Sequence, residues 1–265
     1  MSSAESSSWA EHPELVDFFT HHRNRPEDLY PSESRFLPWL ASQTRTVLDV
    51  GCAAGGFKHI WHHYAPDVAY VGVDVSASLI AAAKKSHPDV EFHQGDCATG
   101  LPFSDRFAPV TQALGWLHME PRYRSALLEL WRVTDRYLFF DVRLAITPDQ
   151  AGVGRQKIAY YARWDEATTS PYIVLAWPVF ASMIMSLEPE RVLGFGYSER
   201  PADAVEGFDQ EINFGMFVLE KPPDGAAPVA PTVCIDMPLV WPSMDGRVHL
   251  LDPSRLDDLV PRSGL

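Results

Sequence analysis

A tight glycine turn and a series of acidic residues, each standing where an apolar run stops, are the groups in this sequence best suited to chemistry. Asp49 precedes the turn Gly51-Cys52-Ala53-Ala54-Gly55-Gly56. A turn this free of bulk lets a backbone approach a ligand closely, although glycines there can also serve only to pack a helix on a strand. Asp74 ends the run AYVGVD, where a carboxylate can accept hydrogen bonds from two ribose hydroxyls. A lone Asp at such a place is often a helix cap, but Ser76 already stands ready for that role. Asp96, in Gly95-Asp96-Cys97-Ala98, can take a hydrogen bond from the amino group of an adenine, or be an ordinary turn residue. His118 and Asp141 follow the next two apolar runs and are the candidate general bases. His118 equally suits a structural hydrogen bond at a helix start, and the spacing does not choose between the two bases. The adjacent pairs His21-His22 and His62-His63 point in different directions on a helix, so no metal site is expected.

These residues need a scaffold that brings strand ends to one edge. Thr46–Val50 is a short β-branched run ending in glycine and reads as a buried strand. Phe57, Ile60, Trp61 and Tyr64 then share one helical face. The same alternation continues with strands over Ala69–Val73, Val90–His93, Val110–Leu114 and Arg136–Val142, separated by helices carrying Leu79, Ile80 and Ala83, then Tyr123, Leu127, Leu130 and Trp131. Alternation of this kind predicts a doubly wound, mostly parallel sheet with helices on both faces. Ligands bind such sheets outside the carboxyl ends of the strands, where the turn and the acids lie.

The expected organisation is a helical lead-in over 1–40, a main domain over 41–221, a linker over 222–231 and a tail over 232–265. Within the main domain an insertion of about 144–190 breaks the rhythm. Strands are expected there over Gln156–Arg163 and Tyr172–Trp177, around a loop with Thr168, Thr169 and Ser170, followed by a helix through Val179–Leu187. Arg191–Tyr197 and Ile212–Glu220 read as a final antiparallel pair. The stretch KPPDGAAPVAP has a linker's composition, and the tail's IDMPLVWP could pack back on the domain. The closing LVPRSGL looks like a protease-site or cloning remnant and is set aside.

Composition bounds the function. The 265 residues carry a formal charge of −13, and no Lys/Arg run is present. Nucleic-acid binding needs a cationic surface, so DNA or RNA is not an expected partner. A cationic ligand is not repelled by such a field. Three cysteines without a CxxC spacing read as reduced thiols. The Ser-rich, acidic N-terminus lacks the pattern of a signal peptide, and no apolar run reaches bilayer length. A soluble, cytoplasmic protein is expected.

The sequence resembles the class I S-adenosylmethionine-dependent methyltransferases, especially their small-molecule branch. VLDVGCAAGG matches the family's first motif, VGVDVS the second, GDCA the third, and Gly115-Trp116-Leu117-His118 the segment after the fourth strand. The match covers about residues 45–143, and the late strand pair fits the family's sixth and seventh strands. The resemblance implies a seven-stranded sheet with an antiparallel final pair. It implies S-adenosylmethionine as cofactor, held by Asp49, Gly51, Cys52, Ala53, Gly55, Asp74, Val75, Asp96, Cys97 and Leu114, with Asp49 near the sulfonium and amino groups. Three departures stand out: Ala53 in place of a middle glycine, Ala108-Pro109 in place of an Asp-Leu pair, and Thr134-Asp135 in place of a Pro-Gly-Gly turn.

The implied reaction is in-line displacement at an activated methyl group, for which the protein supplies position and, where needed, a base. The expected acceptor is a small molecule or saccharide, methylated on oxygen. The aromatic stretches Tyr160-Tyr161-Ala162-Arg163-Trp164 and Pro171-Tyr172 are candidates for its pocket. Two rivals remain at this point. A nicotinamide-dependent oxidoreductase is suggested by Gly51-x-Ala53-x-x-Gly56, and a catalytically inactive binding subunit by the fold alone.

Overall fold

A computed structural model gives the architecture, and the structure describes residues 15–157, 169–227, 229–242 and 248–262. Two helices, α1 (Leu15–His21) and α2 (Pro31–Gln43), lead into β1 (Thr46–Val50), α3 (Phe57–Tyr64), β2 (Ala69–Asp74), α4 (Ala77–Ser86) and β3 (Glu91–Gln94). Next come β4 (Ala108–Ala113), α5 (Tyr123–Val133), β5 (Thr134–Ala145), β6 (Gly152–Lys157), β7 (Thr169–Ala176) and α6 (Trp177–Met185). The chain closes with β8 (Arg191–Glu199), β9 (Val205–Glu206), β10 (Ile212–Glu220), β11 (Thr232–Asp236), β12 (His249–Leu250) and α7 (Leu256–Leu259).

The main sheet runs β12-β11-β8-β10-β5-β4-β1-β2-β3. Strands β1 to β5 run parallel to one another, and β10 lies antiparallel between β5 and β8. The doubly wound sheet and its antiparallel pair are therefore present, but among the described residues nine strands stand in line rather than the expected seven, because β11 and β12 are added beyond β8. The order reverses at β1 and β4, which opens a crevice at their carboxyl ends.

Alternation along β1 shows why its run is apolar on both sides. Leu48 and Val50 enter one core with α5 and α6, while Val47 enters a second core with α2 and α3. Strands covered on both faces require such runs. Helix α4 starts where Ser76 Oγ accepts a hydrogen bond from the Leu79 amide at 3.4 Å. Ile60 and Trp61 anchor α3 to the sheet.

The structure departs from the expected elements in three places. β5 extends to both sides of Arg136–Val142, because Thr134 pairs with Ala108 of β4 before it, while β10 pairs as far as Leu144 and β7 takes up Leu144 and Ala145 after it. Thr169 and Ser170, expected in a loop, open β7 and pair with Lys157 and Gln156 of β6. Thr232–Asp236, expected in a tail, forms β11 and pairs in parallel with β8. Part of the expected strand Gln156–Arg163, Thr168 and the stretch Tyr160–Trp164 lie outside the described residues.

Candidate active site

A cavity of about 570 Å³ opens over the carboxyl ends of β1 to β5, roofed by α1 and the chain that follows it. This falls within the usual range of roughly 300–1,000 Å³ for small-molecule sites. Its walls fall into two halves.

The first half belongs to β1, β2 and β3. Gly51 and Cys52 donate their amides to the Val73 carbonyl at 2.7 and 3.1 Å, which pins the glycine turn beside the end of β2. Gly51 has φ +79 and a Cβ there would overlap the Trp116 indole, whose Nε1 donates to the Val50 carbonyl at 2.7 Å. The missing side chain is thus required by Trp116, a packing partner from the end of β4 rather than from a helix on β1. Gly55 (φ +83) does not line the cavity; a Cβ on it would sit 2.8 Å from the ring of Phe92. Ala53 does line the cavity and holds a left-handed φ of +48.

Asp74 organises this half. Its Oδ2 accepts from the Ala53 amide and its Oδ1 from the Ser76 amide, both at 2.9 Å. A carboxylate offers about four acceptor directions, so these bonds do not exhaust it, and Asp74 lines the cavity. Burial raises its carboxyl above the usual range, against the opposing pull of the Ser76, Ala53 and Val75 amides. Asp96 accepts from the Ala98 amide at 2.9 Å and pairs with Arg122 at 3.1 Å. Val75, Cys97 and Leu114 are also on the wall, and the Cys97 thiol is turned to the Ala126 carbonyl at 3.5 Å.

Besides Gly55, two more residues expected to hold the cofactor do not reach the cavity wall. Asp49 shares a strand face with Val47, so its side chain enters the sheet's other core. There it accepts from Tyr70 Oη and from Gln112 Nε2, and Gln112 accepts in turn from Trp61 Nε1 at 3.0 Å. Burial pushes the Asp49 carboxyl up to about 6, although the Tyr70 and Gln112 hydrogen bonds resist it. Cys52 is buried in the same core beside Gly72.

The second half is made by the ends of β4 and β5, by β7 and by α1. His118 lies in a short 3-10 turn after β4 and is 6% exposed. Its ring is hydrogen-bonded to the Gln156 side chain and packs edge-on to Tyr172 at 5.2 Å. Nδ1 has no partner. Burial, and then the charge of Arg143, lower the imidazole to about 3, so it is neutral across ordinary pH.

Asp141, the other candidate base, is committed elsewhere. It accepts from the Gly115 amide at 2.5 Å and from Arg143 Nη1 at 2.6 Å, and it is not on the cavity wall. Burial opposes its charge, but Arg143, His118 and the Gly115 amide outweigh that and hold the carboxyl below its usual range. Each of its carboxylate oxygens thus already accepts a hydrogen bond, Oδ1 from Gly115 and Oδ2 from Arg143. Arg143 itself was missed in the sequence. It donates through Nε to Tyr172 Oη at 3.2 Å, and its guanidinium lies 4.4 Å from the Phe214 ring centre. The signal was a charged residue two places after Asp141, on the same face of a strand otherwise rich in apolar residues. Phe18 and Phe19 of α1 form part of the roof.

Among the described residues no group of three His, Cys, Asp or Glu side chains could hold a metal ion, and no helix is long and apolar enough to cross a membrane.

Residues 47–136 match a family model described as a methyltransferase domain. Over 91 residues the chain is 33% identical to the phthiotriol/phenolphthiotriol dimycocerosates methyltransferase of Mycobacterium tuberculosis (strain ATCC 25618 / H37Rv), covering 34% of this chain and 33% of that one. It is 36% identical over 91 residues to the demethylmenaquinone methyltransferase of Thermotoga maritima, covering 34% and 39%. The matched stretch thus spans about a third of the length of these relatives. Among solved structures, the 4+2 cyclase SpnF superposes with a TM-score of 0.53 at 14% identity, over 82% of this chain and 98% of that one. A Thermotoga maritima protein described as a SAM-dependent methyltransferase, possibly a histamine N-methyltransferase, gives 0.50 at 15% identity, over 79% and 98%. These structural likenesses concern the fold alone. Residues 47–136 thus match a methyltransferase domain, and the fold around them is one that an S-adenosylmethionine-dependent methyltransferase shares.

Proposed function

We propose that the protein transfers the methyl group of S-adenosylmethionine to an oxygen of a small-molecule or lipid acceptor. One observation carries this reading: the segment matched by the methyltransferase domain supplies the whole cavity wall at the ends of β1, β2 and β3. When bound, S-adenosylmethionine supplies a methyl group already activated by positive sulfur.

The residues present suit that ligand. Asp74 lines the cavity with acceptor capacity left for ribose hydroxyls, and Asp96 carries a carboxylate for the adenine amino group. Ala53, Val75, Cys97 and Leu114 supply close, mostly apolar contact on the same wall. Gly51 contributes by admitting Trp116, which closes the turn, while Gly55, Asp49 and Cys52 position β1 and its turn from behind. Two named relatives act on a lipid and on a quinone precursor, which favours an acceptor with a large apolar body over a saccharide.

Titration calorimetry with S-adenosylmethionine, S-adenosylhomocysteine and reduced nicotinamide tests the reading. Micromolar binding of the sulfur compounds, with no heat from the nicotinamide, is the expected result. The reverse pattern would return the protein to the oxidoreductases. Transfer of labelled methyl to an acceptor panel then separates an active enzyme from a binding subunit.

A further inference from the structure

The second half of the cavity has an unusual combination of groups for methyl transfer. Neither base candidate is equipped to take a proton from a hydroxyl. Asp141 is bound to Arg143 and the Gly115 amide, and His118 sits buried beside the Arg143 guanidinium. A cation, by contrast, is held firmly at this place. Arg143 is oriented on three sides: Nη1 by Asp141, Nε by the Tyr172 hydroxyl and the guanidinium face by Phe214. Its Nη2 is not used by any of these contacts and is not among the enclosed unpartnered atoms. Arg143 is itself a wall residue of the cavity. Tyr172 accepts from Arg143, which leaves its hydroxyl proton as a donor, and Tyr172 lines the same cavity. Around these donors the wall is aromatic and thioether in character, from Phe214, Tyr172, Tyr30 and Met119.

We infer that Arg143 and Tyr172 form an oxyanion site for the acceptor, which is a phenol or enol of a ring-bearing molecule bound in its ionised form. This rests on the methyl-transfer reading above and names its acceptor class. An acidic hydroxyl gives its proton to water before the chemical step, so no protein base is needed. The acceptor oxygen then forms the new C–O bond while the S–CH3 bond breaks, and that electron pair leaves with sulfur, which becomes a neutral thioether. Arg143 selects the anion in the ground state, and the adjoining rings select its flat apolar body.

The proposal can be read without turnover, using 4-nitrophenol, whose colour reports ionisation. In protein saturated with S-adenosylhomocysteine, phenolate should bind about ten- to a thousandfold more tightly than phenol, so the bound probe stays yellow at a pH where the free probe has faded. Asp141→Asn/Arg143→Met removes the ion pair together and leaves no lone buried charge. It should abolish that preference while S-adenosylhomocysteine affinity stays within about twofold. Arg143→Lys should recover part of it, and Tyr172→Phe should lose part of it. An unshifted probe, a shift that survives the double substitution, or a shift lost only with His118→Asn would overturn the proposal. So would failure of the probe to bind protein that does bind S-adenosylhomocysteine. Failure of S-adenosylhomocysteine itself to bind would instead defeat the methyl-transfer reading.

Discussion

The two halves of the cavity are built by different means. The half over β1, β2 and β3 is a backbone site, in which Gly51, Cys52, Ala53 and Ser76 place amides on the Val73 carbonyl and on Asp74. The half over β4, β5 and β7 is a side-chain site, in which Asp141, Arg143, Tyr172 and His118 orient one another across separate strands. A backbone site depends on short-range sequence, because turn geometry and strand ends lie within a few residues of each other. A side-chain site depends on which strands the fold brings together. The first is therefore suited to a ligand that many relatives share, and the second to one that differs between them.

The largest effect that would break this contrast is expected at Asp74. Asp74→Ala should cost about 1.5–3 kcal/mol of S-adenosylmethionine binding, or roughly ten- to a hundredfold in affinity. Because Asp74 also receives the Ala53 and Ser76 amides, part of that loss should persist with an analogue lacking both ribose hydroxyls. Calorimetry on parent and variant with both ligands measures the split. A loss of equal size with both would make Asp74 wholly a support of the turn.

His118 tests the other half through stability. Its folded pKa is lowered to about 3, whereas an unfolded imidazole titrates near 6.5. Between those values the unfolded chain binds the extra proton, so stability is intact above about 6.5 and falls as the pH drops towards 3. The slope is about 1.4 kcal/mol per pH unit. His118→Asn should remove that slope from urea unfolding measured between pH 6 and pH 4. If the two proteins lose stability in parallel, the imidazole is charged in the fold and the base role regains its footing.

The smallest effect sharpens the account of the turn. A non-glycine residue at the Ala53 φ of +48 is strained by about 1–2 kcal/mol, and Ala53→Gly relieves it. The melting temperature should rise by a few degrees, with S-adenosylmethionine affinity nearly unchanged. A drop in affinity would show that the Ala53 methyl contacts the ligand.

The same contrast explains what could be read from residues alone. The strands, the turn and the acids Asp74 and Asp96 follow from patterns of two to six residues, and the structure puts those acids on the cavity wall. Asp49 was misread because a strand alternates faces, and only the structure shows that Tyr70 and Gln112 wait on its side. Asp141 was misread because its partner Arg143 was not weighed, although both share a face of β5. Tyr172 was recognisable as a pocket aromatic, but its hydroxyl's bond to Arg143 depends on β7 docking at the end of β5. The Trp116 contact with Gly51 has no local signature either, since it joins the ends of two different strands.

The roof made by α1 carries one more consequence. Seven residues are too few to hold a helix in water, so α1 owes its form to packing over the cavity. Whatever fills the space beneath it adds to that packing, and the helix's exposure to protease becomes a gauge of occupancy. The seam at Phe18 and Phe19 should be nicked fastest when the cavity is vacant and most slowly when both halves are filled. A limited digest sampled over time would then report loading of the site without a label, a coupled assay or any knowledge of the acceptor.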